Sequence, residues 1–162
     1  MLPKIIQTIR KNDTNRIKIY PEIGFKLQFD GCSKSNPGLA GAGAVIYYNN
    51  EEIWSSHFFV GEKATNNHAE YAGLILGLHH AVELEIKTLI VEGDSLLVIN
   101  QMNGKYKCNS ANLIELYNEA KTLTTNFDSI FFNHIFRNKN KRADQLSNNA
   151  VDKYLQTISF NI

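Results

Sequence analysis

The chain has 162 residues, which is enough for one ordinary domain that buries about two-thirds of its unfolded surface. A hydrophobic content of 43% and a charged content of 20% exclude an intrinsically disordered chain, which would hold fewer large apolar residues. The formal net charge of +1 excludes a strongly basic protein, so any affinity for a phosphate backbone must come from local basic patches.

Residues 1–24 differ from the rest, and we interpret them as a leader of unknown role that precedes a domain over residues 25–162. The leader begins apolar and basic and then becomes polar and turn-rich. It could pack on the domain or remain mobile, and the sequence does not choose between these two interpretations.

The first part of the domain predicts three strands. Alternating apolar and polar residues predict a strand over 25–29, and apolar runs predict strands over 41–48 and 53–60. The first strand ends at Asp30 and a loop. The pair Asn49-Asn50 marks a tight turn, so the second and third strands form a hairpin.

The second part predicts helices between further strands. Apolar residues recur at helical spacing over 65–84 without proline, which predicts a long helix. The remaining elements are a strand over 87–91, helices over 95–102 and 110–123, a strand over 130–136 and a helix over 141–154. This order predicts an α/β fold: a five-stranded mixed sheet, three antiparallel strands and then two parallel strands, flanked by helices.

The two cysteines bear on the compartment. Cys32 and Cys108 lie far apart in the sequence and lack metal-ligand spacing, so we expect reduced thiols in an intracellular, cytoplasmic protein, although a nucleus or an organelle also fits. The sequence has no apolar run of membrane-spanning length and no signal-peptide pattern at its start. We therefore expect no membrane partner, and a monomer.

Four acidic residues are candidates for chemistry, although each has a local structural explanation. Asp30 could form a turn, Glu70 a capping box with Asn67, Asp94 a helix N-cap, and Asp144 could favour a helix N-terminus. Their positions relative to the predicted elements favour a common site. Asp30 and Asp94 end strands that would be parallel neighbours at a topological switch point, where ligands bind in α/β sheets.

Glu70 and Asp144 lie near the starts of two helices, from which either could reach the same strand ends. Four converging carboxylates repel one another unless a cation lies among them. Mg²⁺ is the expected ion, with Mn²⁺ as a substitute, because it takes hard oxygen ligands and leaves positions for water and phosphate. Two such ions could activate a water and stabilise the leaving oxygen in an in-line attack on a phosphodiester.

Four segments resemble the motifs of the type 1 ribonucleases H, in the family's order and spacing. The first reads Asp-Gly followed by Asn-Pro-Gly over 30–38, and the second reads Thr-Asn-Asn with a glutamate over 65–70. The third is Asp-Ser at 94–95, and the fourth is similar to Asn-x-x-Ala-Asp-x-Leu over 140–146. Each motif alone is weak, but together they identify the chain as a member of the family.

The resemblance implies an RNase H-like fold and an endonuclease that hydrolyses the RNA strand of RNA–DNA hybrids by a two-metal, Mg²⁺-dependent mechanism. It implies that Asp30, Glu70, Asp94 and Asp144 are the catalytic and metal-binding residues. Glu70 would also contact a ribose 2′-hydroxyl, the group that distinguishes RNA from DNA. The substrate contacts that it implies are Gly31, Asn36, Asn66 and Asn67 in the minor groove and Thr65 at a DNA-strand phosphate. Loop and cap chemistry explains Thr65 equally well.

The chain departs from the family pattern in three places. Some relatives carry a flexible histidine on the loop before the last helix, where it is thought to help product release or the attack of water. Here that loop has no histidine, so Arg137 could substitute there as a substrate-binding residue, while His134 in the preceding strand is expected in the core. Leu96 stands where relatives often have a polar contact to the hybrid. The stretch over 103–110 is too short for the basic protrusion of some relatives. We also expect the phenylalanines of this region in the core: Phe127, Phe131, Phe132 and Phe136.

Two alternatives remain open from the sequence. One is a catalytically silent module that binds a hybrid or a protein partner; the presence of all four acids argues against it. The other keeps the fold and changes the substrate, to double-stranded RNA or to DNA strand transfer. The asparagines at 36, 66 and 67 favour the hybrid without excluding that change.

Overall fold

A computed structural model describes residues 24–161, so the interpretation of the leader lies outside the described residues except at Gly24. The sheet consists of β1 (Phe25–Lys34), β2 (Gly38–Tyr48), β3 (Glu51–Ala64), β4 (Thr88–Gly93) and β5 (Ser129–His134). The strand order is β3-β2-β1-β4-β5. β1 pairs antiparallel with β2 and parallel with β4. At the two sides of the sheet, β3 pairs antiparallel with β2, and β5 pairs parallel with β4. The predicted five-stranded mixed sheet is confirmed.

In the described part of the chain, four helices accompany the sheet: α1 (Asn66–Glu83), α2 (Leu96–Met102), α3 (Ile114–Thr124) and α4 (Lys141–Phe160). A short 3₁₀ turn, Arg137–Lys139, precedes α4. Every predicted helix is present, although α3 begins later than expected. Residues 110–113 form a turn, in which the main-chain N–H groups of Leu113 and Ile114 donate to the carbonyl oxygen of Ser110. Within the described residues, no helix is long and apolar enough to cross a membrane.

The sheet has a different helix on each face. Leu27 and Phe29 of β1 are fully buried with Tyr71 and Leu74 of α1 in the main core. Such side chains each contribute about 1.5–3 kcal/mol when buried. Val45 lies on the opposite face of β2 from its neighbours Ala44 and Ile46, because successive side chains alternate along a strand. It packs against Ala143 and Leu146 of α4.

The first strand is longer than its alternating pattern indicated. Parallel pairing with β4 stops at Phe29 opposite Gly93, but antiparallel pairing with β2 continues to Lys34. Asp30 therefore lies inside β1, and the prediction that it ends the strand is wrong. It is still the first residue beyond the parallel ladder, where β1 and β4 separate and leave a crevice.

The hairpin between β2 and β3 forms at the predicted turn. Asn49 and Asn50 have φ angles of 49° and 68°. Asparagine tolerates this left-handed conformation better than most residues, and a two-residue turn of this kind matches the twist of the strands it joins.

Candidate active site

Three carboxylates converge in the crevice between β1 and β4. Asp30, Glu70 and Asp94 each offer an oxygen, and these oxygens all lie within 4.8 Å of one another. We call these three residues the acid cluster. They line an open cleft of about 440 Å³, which Asp144 also lines. The predicted convergence of strand ends and helix starts is thus present in the structure.

Close packing of α1 on β1 positions Glu70. Gly31 lies so near α1 that a Cβ at that position would be 2.1 Å from the carbonyl carbon of Ala69. A Cβ on Gly73 would be 2.6 Å from the main-chain oxygen of Asp30. Only glycine permits both approaches, and together they bring the second turn of α1 against the crevice.

The start of α1 is capped by Thr65 and not by Asn67. Thr65 has an extended backbone, and its Oγ1 accepts a hydrogen bond from the main-chain N–H of His68 at 3.1 Å. The capping-box interpretation of Asn67 and Glu70 is therefore wrong. The Glu70 side chain lies in the acid cluster, where its Oε2 is buried and has no hydrogen-bond partner within residues 24–161.

Asp94 is also free of the capping role that its position suggested. Ser95 is the N-cap of α2, and its Oγ accepts from the main-chain N–H of Val98 at 3.3 Å. The Asp94 carboxylate instead accepts a hydrogen bond at Oδ2 from Asn140 Nδ2, at 3.3 Å.

Asp144 lies in the first turn of α4, as predicted, and stands at the side of the cleft. Its Oδ1 is 3.8 Å from Arg137 Nη2 and accepts from Asn148 Nδ2 at 3.3 Å. The helix N-terminus favours a negative charge at this position. Asp144 therefore adds a fourth carboxylate beside the acid cluster.

Two residues that sequence reasoning did not single out hold the acids in place. Asn140 is fully buried, and its Nδ2 also donates to the main-chain oxygen of Phe29 at 2.9 Å. Ser147 Oγ lies 3.2 Å from Asp30 Oδ2, to which it can donate. The signal for Asn140 in the sequence is its place as the first residue of the fourth motif. The signal for Ser147 is its position one helical turn after Asp144.

Burial and mutual repulsion perturb the acids strongly. Burial, followed by the charge of Asp94, raises the pKa of Asp30 from 3.8 to about 7. Burial, followed by the charges of Asp30 and Asp94, raises the pKa of Glu70 well above 4.5. Such shifts mean that the cluster lacks compensating positive charge. Carboxylate oxygens alone, one of them unpaired, fit a metal ion that prefers oxygen ligands.

The candidate substrate-binding residues lie in more than one place. Gly31, Asn66, Asn67 and Arg137 line the acid cleft. Asn36 does not line it; its Oδ1 accepts from the main-chain N–H of Asn66 at 2.9 Å. The Asn66 Oδ1 in turn accepts from the N–H of Ser33 at 2.8 Å. These two bonds fasten the β1–β2 turn to the start of α1.

Thr65 borders a second cleft of about 600 Å³. The residue after it, Asn66, lines the acid cleft. The lining of the second cleft includes Lys63, His68 and Asn112, together with the end of β3. Lys63 gives this second cleft a positive charge, which the acid cleft has only at Lys34 and Arg137.

Four basic residues shortly before Asp144, which would suit a phosphate backbone or form a solvated helix start, are only partly available to a ligand: Arg137, Lys139, Lys141 and Arg142. Arg142 forms an ion pair with Glu52, with Nε and Oε1 2.7 Å apart, and also donates to Ser55 Oγ at 3.2 Å. Lys139 and Lys141 are exposed. The positive charge that remains near the cleft is therefore smaller than the sequence suggests.

Burial of the aromatic residues near the last strand was only partly predicted. Phe127 and Phe132 are buried as expected, but Phe131 and Phe136 are 55% and 73% exposed, and His134 is also exposed. The core interpretation of these last three is wrong. β5 is an edge strand, and α4 packs on β1, β2 and β3, so the face of β5 that carries Phe131, opposite Phe132, has little cover. His134 is the last residue of β5, and Phe136 lies beyond its end.

Comparison with known proteins gives one family model and several similar chains. The model described as reverse transcriptase-like matches residues 28–150. Ribonuclease HI of Halobacterium salinarum is 35% identical over 136 residues, which cover 83% of this chain and 68% of that protein. The bifunctional protein Rv2228c of Mycobacterium tuberculosis is 40% identical over 133 residues, 81% of this chain. The chain spans only 36% of the length of that relative.

Solved structures resemble this fold closely. LC11-RNase H1, whose structure was determined in complex with an RNA/DNA hybrid, superposes with a TM-score of 0.76 at 34% identity. The superposition covers 81% of this chain and 99% of that one.

Proposed function

Since the chain belongs to the type 1 ribonuclease H family, we propose that it is an endonuclease that hydrolyses the RNA strand of RNA–DNA hybrids. The observation that carries the proposal is the acid cluster, three carboxylate oxygens within 4.8 Å at the base of an open, polar cleft. Further support comes from LC11-RNase H1, a similar structure that holds a hybrid.

The acid cluster and Asp144 would hold Mg²⁺, two ions during catalysis, with Mn²⁺ as a substitute. Divalent ions held there would lower the pKa of a water and stabilise charge on the leaving oxygen of a phosphodiester. The protein's own contribution is to orient the carboxylates. Asn140 donates to Asp94, and Ser147 to Asp30, so each acid keeps its position as the charge in the cleft changes.

The hybrid would lie across both clefts. In this proposal Gly31, Asn66 and Asn67 contact the minor groove from the acid cleft, with Asn36 holding the turn behind them. Thr65 and Lys63 in the second cleft take a phosphate of the DNA strand. A cationic side chain and a hydroxyl are suitable partners for a phosphate oxygen.

On the RNA side, two groups lie beside the reacting bond. Glu70 contacts the ribose 2′-hydroxyl, which selects RNA over DNA. Arg137 lies beside Asp144 and places a guanidinium where a phosphate of the RNA strand would pass.

The proposal requires one copy of the chain, because residues of the described domain supply all four carboxylates. We therefore propose that residues 25–162 form the catalytic domain and that it acts as a monomer. A cytoplasmic location agrees with the two free cysteines, since reducing compartments keep thiols free.

The test is a panel of end-labelled substrates with Mg²⁺ or Mn²⁺: an RNA–DNA hybrid, single-stranded RNA, double-stranded RNA and an all-DNA duplex. We expect metal-dependent loss of the RNA strand of the hybrid alone. Cleavage of double-stranded RNA or of the DNA duplex would show that the activity is not specific to the hybrid. Binding of the hybrid by folded protein, without cleavage in either metal, would indicate a silent binding module.

A further inference from the structure

An exposed apolar edge borders the acid cleft on the side of β4 and β5. Leu96 begins α2 two residues after Asp94 and is 50% exposed. Phe136 follows β5, immediately before Arg137, and is 73% exposed. Each is next in the sequence to a residue that lines the cleft, Ser95 or Arg137. Large exposed apolar side chains beside a polar cleft are candidates for a contact surface.

Two contacts connect Phe136 to the acid cluster. His134 Nε2 lies 3.2 Å from the main-chain oxygen of Asp94. Because a carbonyl oxygen only accepts, this nitrogen is the donor. The Phe136 ring meets the His134 ring edge to face, with centroids 5.8 Å apart and planes at 82°. The Phe136 ring thus lies one side chain away from the backbone of Asp94.

The environment of Phe136 differs from that of the other aromatic rings that make contacts. Phe59 stacks face to face on Tyr154 at 3.8 Å, and Trp54 on His80 at 4.1 Å. Phe25 packs against the buried ring of Tyr48, with centroids 4.7 Å apart. Within residues 24–161, the ring contact of Phe136 is its T-shaped one with His134, and most of its surface is in water. A ring so placed has area available to stack on another planar group.

We propose that Phe136 is a substrate-binding residue that stacks on an unpaired nucleobase where the hybrid duplex ends. A base within a duplex is already covered by its neighbours on both faces, so a stacking ring next to the cleft finds a partner only beyond the last base pair. Every nucleobase has a face that stacks on an aromatic ring, and this contact is independent of sequence. The protein would then prefer hybrids flanked by a single strand over blunt hybrids.

This inference rests on the proposed function, and its test separates the two. The probes are a blunt hybrid and four hybrids that carry an overhang at one RNA or DNA end, each with 2-aminopurine at the first unpaired position. Affinity is measured by fluorescence anisotropy with Mg²⁺ in an Asp94→Asn background, which prevents cleavage, and cleavage of the blunt hybrid is measured with the unsubstituted protein. Phe136→Ala is compared with Phe160→Ala, a matched control at an exposed phenylalanine on the last turn of α4.

We expect one of the four overhangs to bind more tightly than the blunt end and to quench its 2-aminopurine. Phe136→Ala should weaken that affinity roughly tenfold, as loss of one stacked base does, and leave the blunt hybrid unchanged. Phe136→Trp should restore both readouts, and Phe160→Ala should change neither. If the role of Phe136 were merely structural, Phe136→Ala would lower the affinity for all five substrates equally.

Equal affinity for blunt and overhanging hybrids, with blunt hybrid still cleaved, would overturn the stacking proposal alone. A preference for one overhang that depends on Phe136, without any cleavage by the unsubstituted protein, would overturn the nuclease and leave the stacking site. Failure of folded protein to bind any of the substrates would overturn both.

Discussion

The side-chain amide of Asn140 lies 3.3 Å from the carboxylate of Asp94, so the residue that precedes α4 contacts the residue that follows β4. The same nitrogen lies 2.9 Å from the main-chain oxygen of Phe29 in β1. One buried amide therefore joins three elements at the point where the acids converge. Its loss should affect both folding and catalysis.

We predict that Asn140→Ala destabilises the protein by about 1–3 kcal/mol, because it leaves the buried Phe29 oxygen without its donor. It should also lower kcat more than it raises KM, since Asp94 loses its orienting bond. Urea unfolding and hybrid cleavage measure the two effects. Asn118→Ala, at an exposed position of α3, is the control. Unchanged stability and kcat in Asn140→Ala would contradict the role given to this amide.

The acid cluster should make the metal-free protein less stable as the pH rises. Asp30 has a folded pKa of about 7 against an ordinary value of 3.8, because it is buried and lies near the charges of Asp94 and Asp144. Between these two pH values the folded state binds more protons than the unfolded state. The free energy of unfolding is therefore highest below the unfolded pKa of 3.8 and falls as the pH rises to the folded pKa of about 7.

Urea unfolding in EDTA at about pH 5 and about pH 8 measures this dependence, and we expect a loss on the order of 2 kcal/mol. The loss should be smaller in Asp30→Asn, in which Glu70 is still buried and its pKa still raised. Added Mg²⁺ should restore stability at the higher pH, because bound cations offset the repulsion. The same pH dependence in Asp30→Asn would assign the effect to other groups.

The close approach of β1 to α1 predicts the effect of a single methyl group. In Gly31→Ala the new Cβ would be 2.2 Å from the main-chain nitrogen of Glu70, so helix and strand must separate. We expect a loss of about 3 kcal/mol or more, together with loss of cleavage. Gly61→Ala on β3 is the control, since a Cβ there meets nothing within 4 Å. Equal unfolding midpoints for the two variants would show that α1 does not depend on this contact.

Arg137 should matter to the reaction and not to the fold. Its guanidinium is 83% exposed, and its ion pair with Asp144, at 3.8 Å, is of the surface kind that contributes less than about 1 kcal/mol. Arg137→Ala should lower hybrid cleavage about ten- to a hundredfold, the effect of losing one charged hydrogen bond to the substrate. Arg137→Lys keeps the charge without the planar fork and should recover part of the rate. An alanine variant with full activity would remove Arg137 from the site.

Local patterns predicted most of the framework. The turn at Asn49 and Asn50 and the start of α4 at Lys141 follow from short stretches of sequence, because turn conformations and helix starts depend on nearby residues. The convergence of Asp30 and Asp94 followed from topology, even though β1 extends past Asp30.

What sequence could not predict depended on distant parts of the chain. The bond from Asn140 to Phe29 joins residues 111 positions apart, and no local signal marks it. Burial of Phe131 was expected from residue type, but β5 is an edge strand, and α4 covers other strands. Coverage by a helix is a property of the assembled sheet.

The most direct test of the central claim is to identify the ends produced when the RNA strand of a hybrid is cleaved with Mg²⁺, with Asp94→Asn protein alongside. Attack by water, activated in the acid cluster, predicts metal-dependent products without a 2′,3′-cyclic phosphate, and none from Asp94→Asn. Cyclic phosphate ends would show that the ribose 2′-hydroxyl attacked instead. That result, or full cleavage by Asp94→Asn, would contradict the assignment of the acid cluster as the catalytic site.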